Sequence, residues 1–160
     1  MFKLSKATDY GIVLLAQLAA EPSGKPQNAR ELAEDADLPV PMVSKVLKAL
    51  ARDGLLVSQR GSKGGYRLAR PPETLTVSEM ISVLEGPLAL TDCAMGPDHC
   101  ERETDCAVRE PWQQISRAVE RALSDITLAD LVHHRFSHAT TSMTLQIERS
   151  PQATAAARSQ

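Results

Sequence analysis

With 160 residues, 42% of them apolar and 3% aromatic, the chain is long enough for one domain with an aliphatic core, or for a small domain with an appendage. Its three cysteines are an odd number, which argues against a disulfide framework and favours the reducing cytoplasm, and no apolar stretch approaches the length of a membrane span. The formal net charge of -2 by itself says nothing about nucleic acid as a partner.

The first half of the chain predicts three helices. Thr8 is the predicted N-cap of the first helix. Asn28 and Glu31 form a capping-box pattern at the start of a short second helix. A third helix, from Pro41 to Asp53, has an apolar face and a polar, basic outer side. Two short helices joined by a tight turn predict a helix-turn-helix, although any small helical pair with a solvated charged face shows the same pattern.

A basic β-hairpin is predicted directly after the third helix. Residues 55–57 and 66–68 have the composition of two short strands, and residues 61–65 form a glycine-rich turn between them. A hairpin in this place is the wing of a winged helix, although any tight hairpin uses such glycines. Arg60 and Lys63 near its tip are placed to enter a minor groove or to lie along phosphates.

The second half predicts two more helices on either side of a loop. Thr76 and Glu79 form another capping-box pattern, and Gly86 and Pro87 end that helix. A longer helix starts at Pro111. We expect its apolar stripe to pair two subunits of a homodimer, with burial inside one chain as the alternative. The residues of this predicted dimerisation stripe are Trp112, Ile115, Val119 and Leu123.

These elements predict a fold that is mainly α with a small β wing. Residues 1–75 form a winged helix-turn-helix DNA-binding domain whose first helix also packs on the dimerisation helix. Residues 76–131 hold a helix, a cysteine-rich loop and the dimerisation helix. Residues 132–160 are rich in Ser, Thr, Ala and Gln, and we expect a disordered tail there.

Charge is distributed unevenly between these regions. Residues 40–70 carry seven basic side chains against a single acid, Asp53, which is a local balance of +6. Residues 92–110 reverse this, with six acids against two arginines. The basic region suits contact with phosphate, and the acidic region suits a cationic metal.

All three cysteines, Cys93, Cys100 and Cys106, lie in the acidic loop, which proline and glycine interrupt. The gaps of six and five residues are longer than the two-residue gaps of a zinc knuckle. Three soft thiolates can hold an iron-sulfur cluster that takes its fourth ligand from elsewhere. Three unrelated free thiols and an irregular zinc site are the alternatives that the spacing leaves open.

The order of these parts resembles the dimeric winged-helix regulators typified by IscR, NsrR and RirA. The resemblance covers residues 1–131, and the opening residues resemble most closely the subgroup that controls the SUF genes for iron-sulfur cluster assembly. The motifs that carry it are residues 4–10 (LSKATDY), 46–50 (VLKAL) with 54–56 (GLL), 60–61 (RG) with 64–66 (GGY), and 85–87 (EGP) before the cysteine loop.

The resemblance implies a cytoplasmic transcription factor that binds a palindromic operator in double-stranded DNA and has no small-molecule substrate. It also implies that the three cysteines bind a cluster, either 2Fe-2S or 4Fe-4S, whose occupancy or redox state sets operator affinity. Some relatives have a histidine three residues after the last cysteine, where this chain has Arg109, which stays protonated and cannot ligate iron. Others use an acid of the partner subunit at the place of Asp9, for which a plain acid at a helix start is the alternative.

The predicted DNA contacts fall on the third helix and the wing. Lysines and arginine supply phosphate affinity, whereas residues near the start of the helix are placed to touch base edges. The predicted set is Met42, Ser44, Lys45, Lys48, Arg60, Ser62 and Lys63.

Two other functions stay open at this stage. One is a winged-helix regulator in which the cysteines bind structural zinc or act as redox-sensing thiols. The other is a small iron-sulfur electron or cluster carrier, which would bind no DNA in a salt-dependent way. No nucleophile and base, catalytic metal spacing or phosphate loop predicts an enzyme.

Overall fold

The computed structural model describes residues 3–21, 23–61, 64–96, 99–100 and 106–133. These ranges are mostly helical, with one two-stranded antiparallel sheet, which confirms the predicted fold class. None of their helices combines the length and the apolar character needed to cross a membrane. The elements are α1 (Lys6–Ala20), α2 (Ala29–Asp35), α3 (Val40–Arg52), β1 (Leu56–Gln59), β2 (Gly65–Leu68), α4 (Val77–Glu85), α5 (Arg109–Ser124) and α6 (Leu128–His133), with 3-10 turns at Pro72–Thr74 and Asp92–Ala94.

Side chains cap the helix starts, but not always the predicted ones. The N-cap of α1 is Ser5, whose Oγ accepts a hydrogen bond from the backbone N–H of Thr8 at 3.3 Å. The prediction that Thr8 caps this helix is wrong, because Thr8 lies within the first turn of α1, where it is fully buried and its hydroxyl donates to Glu85. The capping box of Asn28 and Glu31 at α2 is confirmed.

A short turn joins α2 and α3, as in a helix-turn-helix. Asp37 takes a positive φ of 53°, and the backbone N–H of Leu38 returns to the carbonyl of Ala33 at 2.9 Å. Such a left-handed residue after a helix ends it sharply and satisfies its last carbonyls. The apolar face of α3 is then buried against α1 and α2, and its buried residues are Val43, Val46, Leu47 and Leu50.

A second set of backbone hydrogen bonds, at the end of the hairpin nearest its turn, joins the wing to the loop before α2. β1 pairs with β2 from Leu56 opposite Leu68 to Gln59 opposite Gly65. Tyr66 and Gln27 exchange N–H···O bonds of 2.8 and 3.0 Å, so that the loop before α2 adds a third partner to the hairpin. This pairing connects the wing to the start of the helix-turn-helix.

Two backbone hydrogen bonds join the start of the second half of the chain to its last helices. The N–H of Val77 donates to the carbonyl of Ile126 at 2.8 Å, and the N–H of Leu128 donates to the carbonyl of Leu75 at 2.7 Å. Leu128 is fully buried, and α6 packs on α1. The main neighbours of α5 within the chain are α4 and the Asp92–Ala94 turn.

The ends of the last two helices differ from the prediction by a few residues. α5 begins at Arg109, two residues before the predicted start at Pro111. α6 continues to His133, so that residues 132 and 133, predicted as part of a tail, are helical. Residues 134–160, the rest of the predicted tail, lie outside the described part of the chain.

Candidate nucleic-acid interface and cysteine loop

The outer side of α3 is positive and polar. Lys45 and Lys48 are exposed one turn apart, and the first turn of the helix contains no acid. Ser44 is half-buried beside them. Met42, which the sequence placed near base edges, is also half-buried and packs against the hydrophobic core. Its contact with the core leaves only part of the side chain free to reach a ligand.

Sequence reasoning missed Val40, the first residue of α3. Its side chain is 41% exposed and, unlike Met42, is not among the residues packed against the core. Its spacing of three residues from Val43 predicts a buried position, because that is the period of the apolar face. Met42 packs against the core and Val43 is buried in it, so the exposure of Val40 in the same turn depends on the tertiary arrangement and has no signal in the sequence.

Two of the basic residues in the region are engaged in pairs within the chain. The guanidinium of Arg52 contacts the carboxylate of Asp53 at 2.9 Å, and this pair lowers the pKa of the Asp53 carboxyl. Arg70 forms an ion pair with Glu79 and donates to the carbonyl of Thr74 at 3.2 Å. Both arginines therefore fix local structure, and a charge count overstates what the surface offers to phosphate.

At the wing, Arg60 is exposed directly after β1. Ser62 and Lys63, the other two predicted contacts of the wing, lie outside the described residues. Arg60 stands on the same anchored hairpin as Tyr66, so that its position relative to α3 is set by the backbone bonds between Tyr66 and Gln27. The basic side of α3 and the exposed Arg60 of the wing therefore belong to one connected part of the structure.

The start of the cysteine loop is docked on α5. Cys93 is buried, its sulfur lies 3.2 Å from Oγ1 of Thr91, and its carbonyl accepts a hydrogen bond of 3.0 Å from the side chain of Gln113. The N–H of Leu90 donates to the hydroxyl of Ser116, the one fully buried side chain on the helix among the described residues, at 3.3 Å. The loop and the helix therefore form one packed unit at this end.

The three cysteines are free thiols, with Cys100 and Cys106 half-buried. Within the ranges that the structure describes, no group of three or more Cys, His, Asp or Glu side chains lies close enough to hold a metal ion. Residues 97–98 and 101–105, between the cysteines, lie outside these ranges. The donor chemistry fits an iron-sulfur cluster, because three soft thiols stand on one loop at one end of α5. The described geometry does not bring the predicted ligands together.

Asp9, the predicted fourth ligand, is exposed on the first turn of α1. The start of this helix is tied to the end of α4. Oε1 of Glu85 accepts hydrogen bonds from the N–H of Ser5 at 2.6 Å and from the hydroxyl of Thr8 at 2.5 Å. The bond from Thr8, followed by the bond from Ser5, lowers the pKa of the Glu85 carboxyl. Glu85 is the last residue of α4, so one carboxylate connects the end of α4 to the first turn of α1.

The apolar stripe of α5 is largely uncovered within one chain. Val108 is 54% exposed, Trp112 39% and Ile115 46%. Val119 is half-buried, and Leu123 is half-buried against the core. Three large apolar side chains in a row along one helix form an exposed patch of the kind that marks an interaction surface.

Comparison with known proteins places these features in context. Residues 4–134 match the Rrf2 family, described as iron-dependent transcriptional regulators. Protein rrf2 of Nitratidesulfovibrio vulgaris is 30% identical over 130 residues, which are 81% of this chain and 87% of that protein. The structure is similar to that of CymR, the global cysteine regulator of B. subtilis, with a TM-score of 0.67 at 30% identity over 84% of this chain and 98% of CymR. It is also similar to T. potens IscR, with a TM-score of 0.64 at 29% identity over 83% of this chain and 88% of IscR.

Proposed function

Because the chain belongs to the Rrf2 family of transcriptional regulators, which bind DNA and are not enzymes, we propose that it is a homodimeric regulator whose affinity for a palindromic operator depends on an iron-sulfur cluster. Cys93, Cys100 and Cys106 hold the cluster, and Asp9 of the partner subunit is the candidate fourth ligand. The protein acts in the cytoplasm, and its targets are genes of SUF-type cluster assembly or of iron metabolism, as the resemblance of residues 4–10 suggests.

The observation that carries the DNA-binding part is the basic outer side of α3 beside an anchored wing. Lys45 and Lys48 are exposed on α3, and Arg60 is exposed on the hairpin. Side chains of this kind attract the phosphate backbone, while the start of a recognition helix reaches base edges in the major groove. Arg60, with Lys63 of the same turn, contacts the adjacent backbone or minor groove.

The dimer is supported by the exposed stripe of α5. A two-fold axis beside this helix uses the same apolar patch of both subunits, which is the usual form of a homodimer interface. Two α3 helices related by such an axis meet half-sites about one helical turn of DNA apart, and the operator is then palindromic.

Contacts of the cysteine loop support a link between ligand and DNA. The start of the loop contacts α5 through Gln113 and Ser116, and Glu85, at the end of α4 before the loop, binds the first turn of α1. A bound cluster supplies a charge and a redox state that respond to iron and oxidants. A loop that is ordered around its ligand and loose without it changes how α5 and α1 hold the two DNA-binding units.

The test is an absorption spectrum with iron and sulfide analysis on protein purified without oxygen, followed by operator binding before and after removal of iron. We expect coloured protein, a change in operator affinity on removal, and loss of both in Cys100→Ala. Met95→Ala is the matched control, because Met95 is an exposed sulfur-containing residue of the same loop and is not a predicted ligand.

Colourless protein that cannot be reconstituted but still binds the operator would overturn the cluster and leave a regulator with zinc or redox-sensing thiols. Coloured protein with no salt-dependent DNA binding would instead overturn the regulator and favour a cluster carrier.

A further inference from the structure

Val40 is an aliphatic side chain that is not among the described residues packed against the hydrophobic core. It is 41% exposed, and its neighbours Leu38 and Met42 pack against the core whereas Val40 does not. The hydrophobic effect gives no reason to place a branched apolar residue there, because an exposed valine contributes little to folding. An apolar group of a binding partner of α3 would give this side chain a contact.

The first turn of α3 holds Val40 rigidly. Pro39 precedes it with φ of -64°, and Pro41 follows it. The carbonyl of Pro39 accepts hydrogen bonds from the N–H groups of Met42 at 3.0 Å and Val43 at 3.1 Å, so that the turn is closed around Val40. Valine itself is restricted at χ1. A contact made by this side chain therefore costs little conformational entropy.

The position of Val40 aligns it with polar residues proposed to meet DNA. Val40, Ser44 and Lys48 are spaced by four residues and form one line along α3. The N-terminal end of a recognition helix is the part that contacts base edges. In the major groove, the one apolar feature of a base edge is the 5-methyl group of thymine.

We propose that Val40 recognises the 5-methyl group of a thymine in each half-site of the operator. This inference rests on the proposed function, since it requires α3 to enter the major groove. With a guanine or an unmethylated cytosine at the same place, a polar base edge would face the apolar side chain of Val40. The hydrogen-bonding groups of that base edge would then have no partner. One residue thus provides both the favourable contact and the discrimination.

The experiment begins with selection of an operator from a pool of randomised DNA duplexes by the full-length protein. Each thymine of the selected operator is then replaced by deoxyuridine, which removes the methyl group and nothing else. At one symmetric pair of positions we expect binding to weaken about 4-fold when one half-site is changed, and about 15-fold when both are changed, as for the loss of one or two buried methyl-sized groups. Replacing that thymine by 5-methylcytosine should weaken binding less than replacing it by cytosine.

Val40→Ala should weaken binding to the thymine operator by a similar factor. The variant protein should bind the thymine and deoxyuridine operators with equal affinity. Val13→Ala is the matched control, because Val13 has the same side chain, is 40% exposed and also lies on a helix, α1. This control should keep the preference for thymine. Thermal melts of both variants establish that they fold.

The outcomes separate this inference from the proposed function. A pool without any preferred sequence would overturn both. A selected operator that is insensitive to deoxyuridine at every position would overturn only the role of Val40. The same holds if Val40→Ala keeps the full preference for thymine, because another residue would then read the methyl group.

Discussion

Replacing Ile115 by glutamate puts a carboxylate in the middle of the exposed stripe of α5. We expect Ile115→Glu to convert the proposed dimer into a folded monomer. Ile115 is 46% exposed in the single chain and is absent from the core. A surface substitution of this kind changes the free energy of unfolding by only about 0.5 kcal/mol. The effect should therefore fall on association rather than on folding.

The magnitude follows from the area. An isoleucine that is 46% exposed leaves roughly 85 Å² for a partner to cover. Because of the two-fold symmetry, Ile115 of both subunits is covered, and the area buried is about 170 Å². Burying this area contributes about 4 kcal/mol to the association free energy. Burying a carboxylate at the same place adds an unfavourable term. The dissociation constant of the dimer should rise by at least about a thousandfold.

Sedimentation velocity over a range of protein concentrations measures this constant directly. Gln114→Glu is the control, because this substitution introduces the same charge one residue away. Gln114 is exposed and lies outside the apolar stripe. A wild-type protein that sediments as a monomer would refute the reasoning. So would an Ile115→Glu variant with an unchanged dimer constant, or one that is unfolded as a monomer.

Three further predictions concern the frame of the site. In Gly65→Ala the new Cβ would lie 2.3 Å from the carbonyl oxygen of Gln27, so chemical denaturation should show a loss of about 1–3 kcal/mol, and an unchanged midpoint would contradict the observed packing. The lowered pKa of Glu85 means that its bonds stabilise the fold above the ordinary value of 4.5 and that this contribution is lost as pH falls through the folded-state pKa. Thermal melts of wild type and Glu85→Gln should therefore differ most near neutral pH and converge below pH 4.5, whereas a constant gap would exclude this role. Asp37→Gly removes the strain of a side chain at a φ of 53° and should raise the free energy of unfolding by about 0.5–1 kcal/mol in urea titrations, and an unchanged or lower value would contradict this reasoning.

Local signals in the sequence predicted much of the fold. The capping box at Asn28 and Glu31, the apolar period of α3 and the glycine-rich turn of the wing are all encoded within a few residues. The start of α1 was not predictable in this way. Ser5 and Thr8 are both good caps, and the choice between them depends on Glu85, which is 77 residues further along the chain than Thr8.

Some features of the candidate site were also predictable from the sequence, and others were not. Lys45, Lys48 and Arg60 are exposed, as a basic contact surface requires. The ion pair of Arg70 with Glu79 on α4, however, depends on how α4 packs, whereas Arg52 pairs with Asp53, its neighbour in the sequence. For the cysteines, the sequence identifies the donor atoms, but spacing alone cannot say how a loop of this length folds around a ligand.

The backbone bonds at Val77 and Leu128 close residues 78–125 into a loop that starts and ends at one point of the DNA-binding core. α4 at the start of this segment belongs to the core, because Met80 and Ile81 are buried there. The part that can vary in length and composition while the core keeps its shape is therefore residues 86–108, between α4 and α5. One inherited DNA-binding architecture can in this way carry different loops at the same place over the course of evolution.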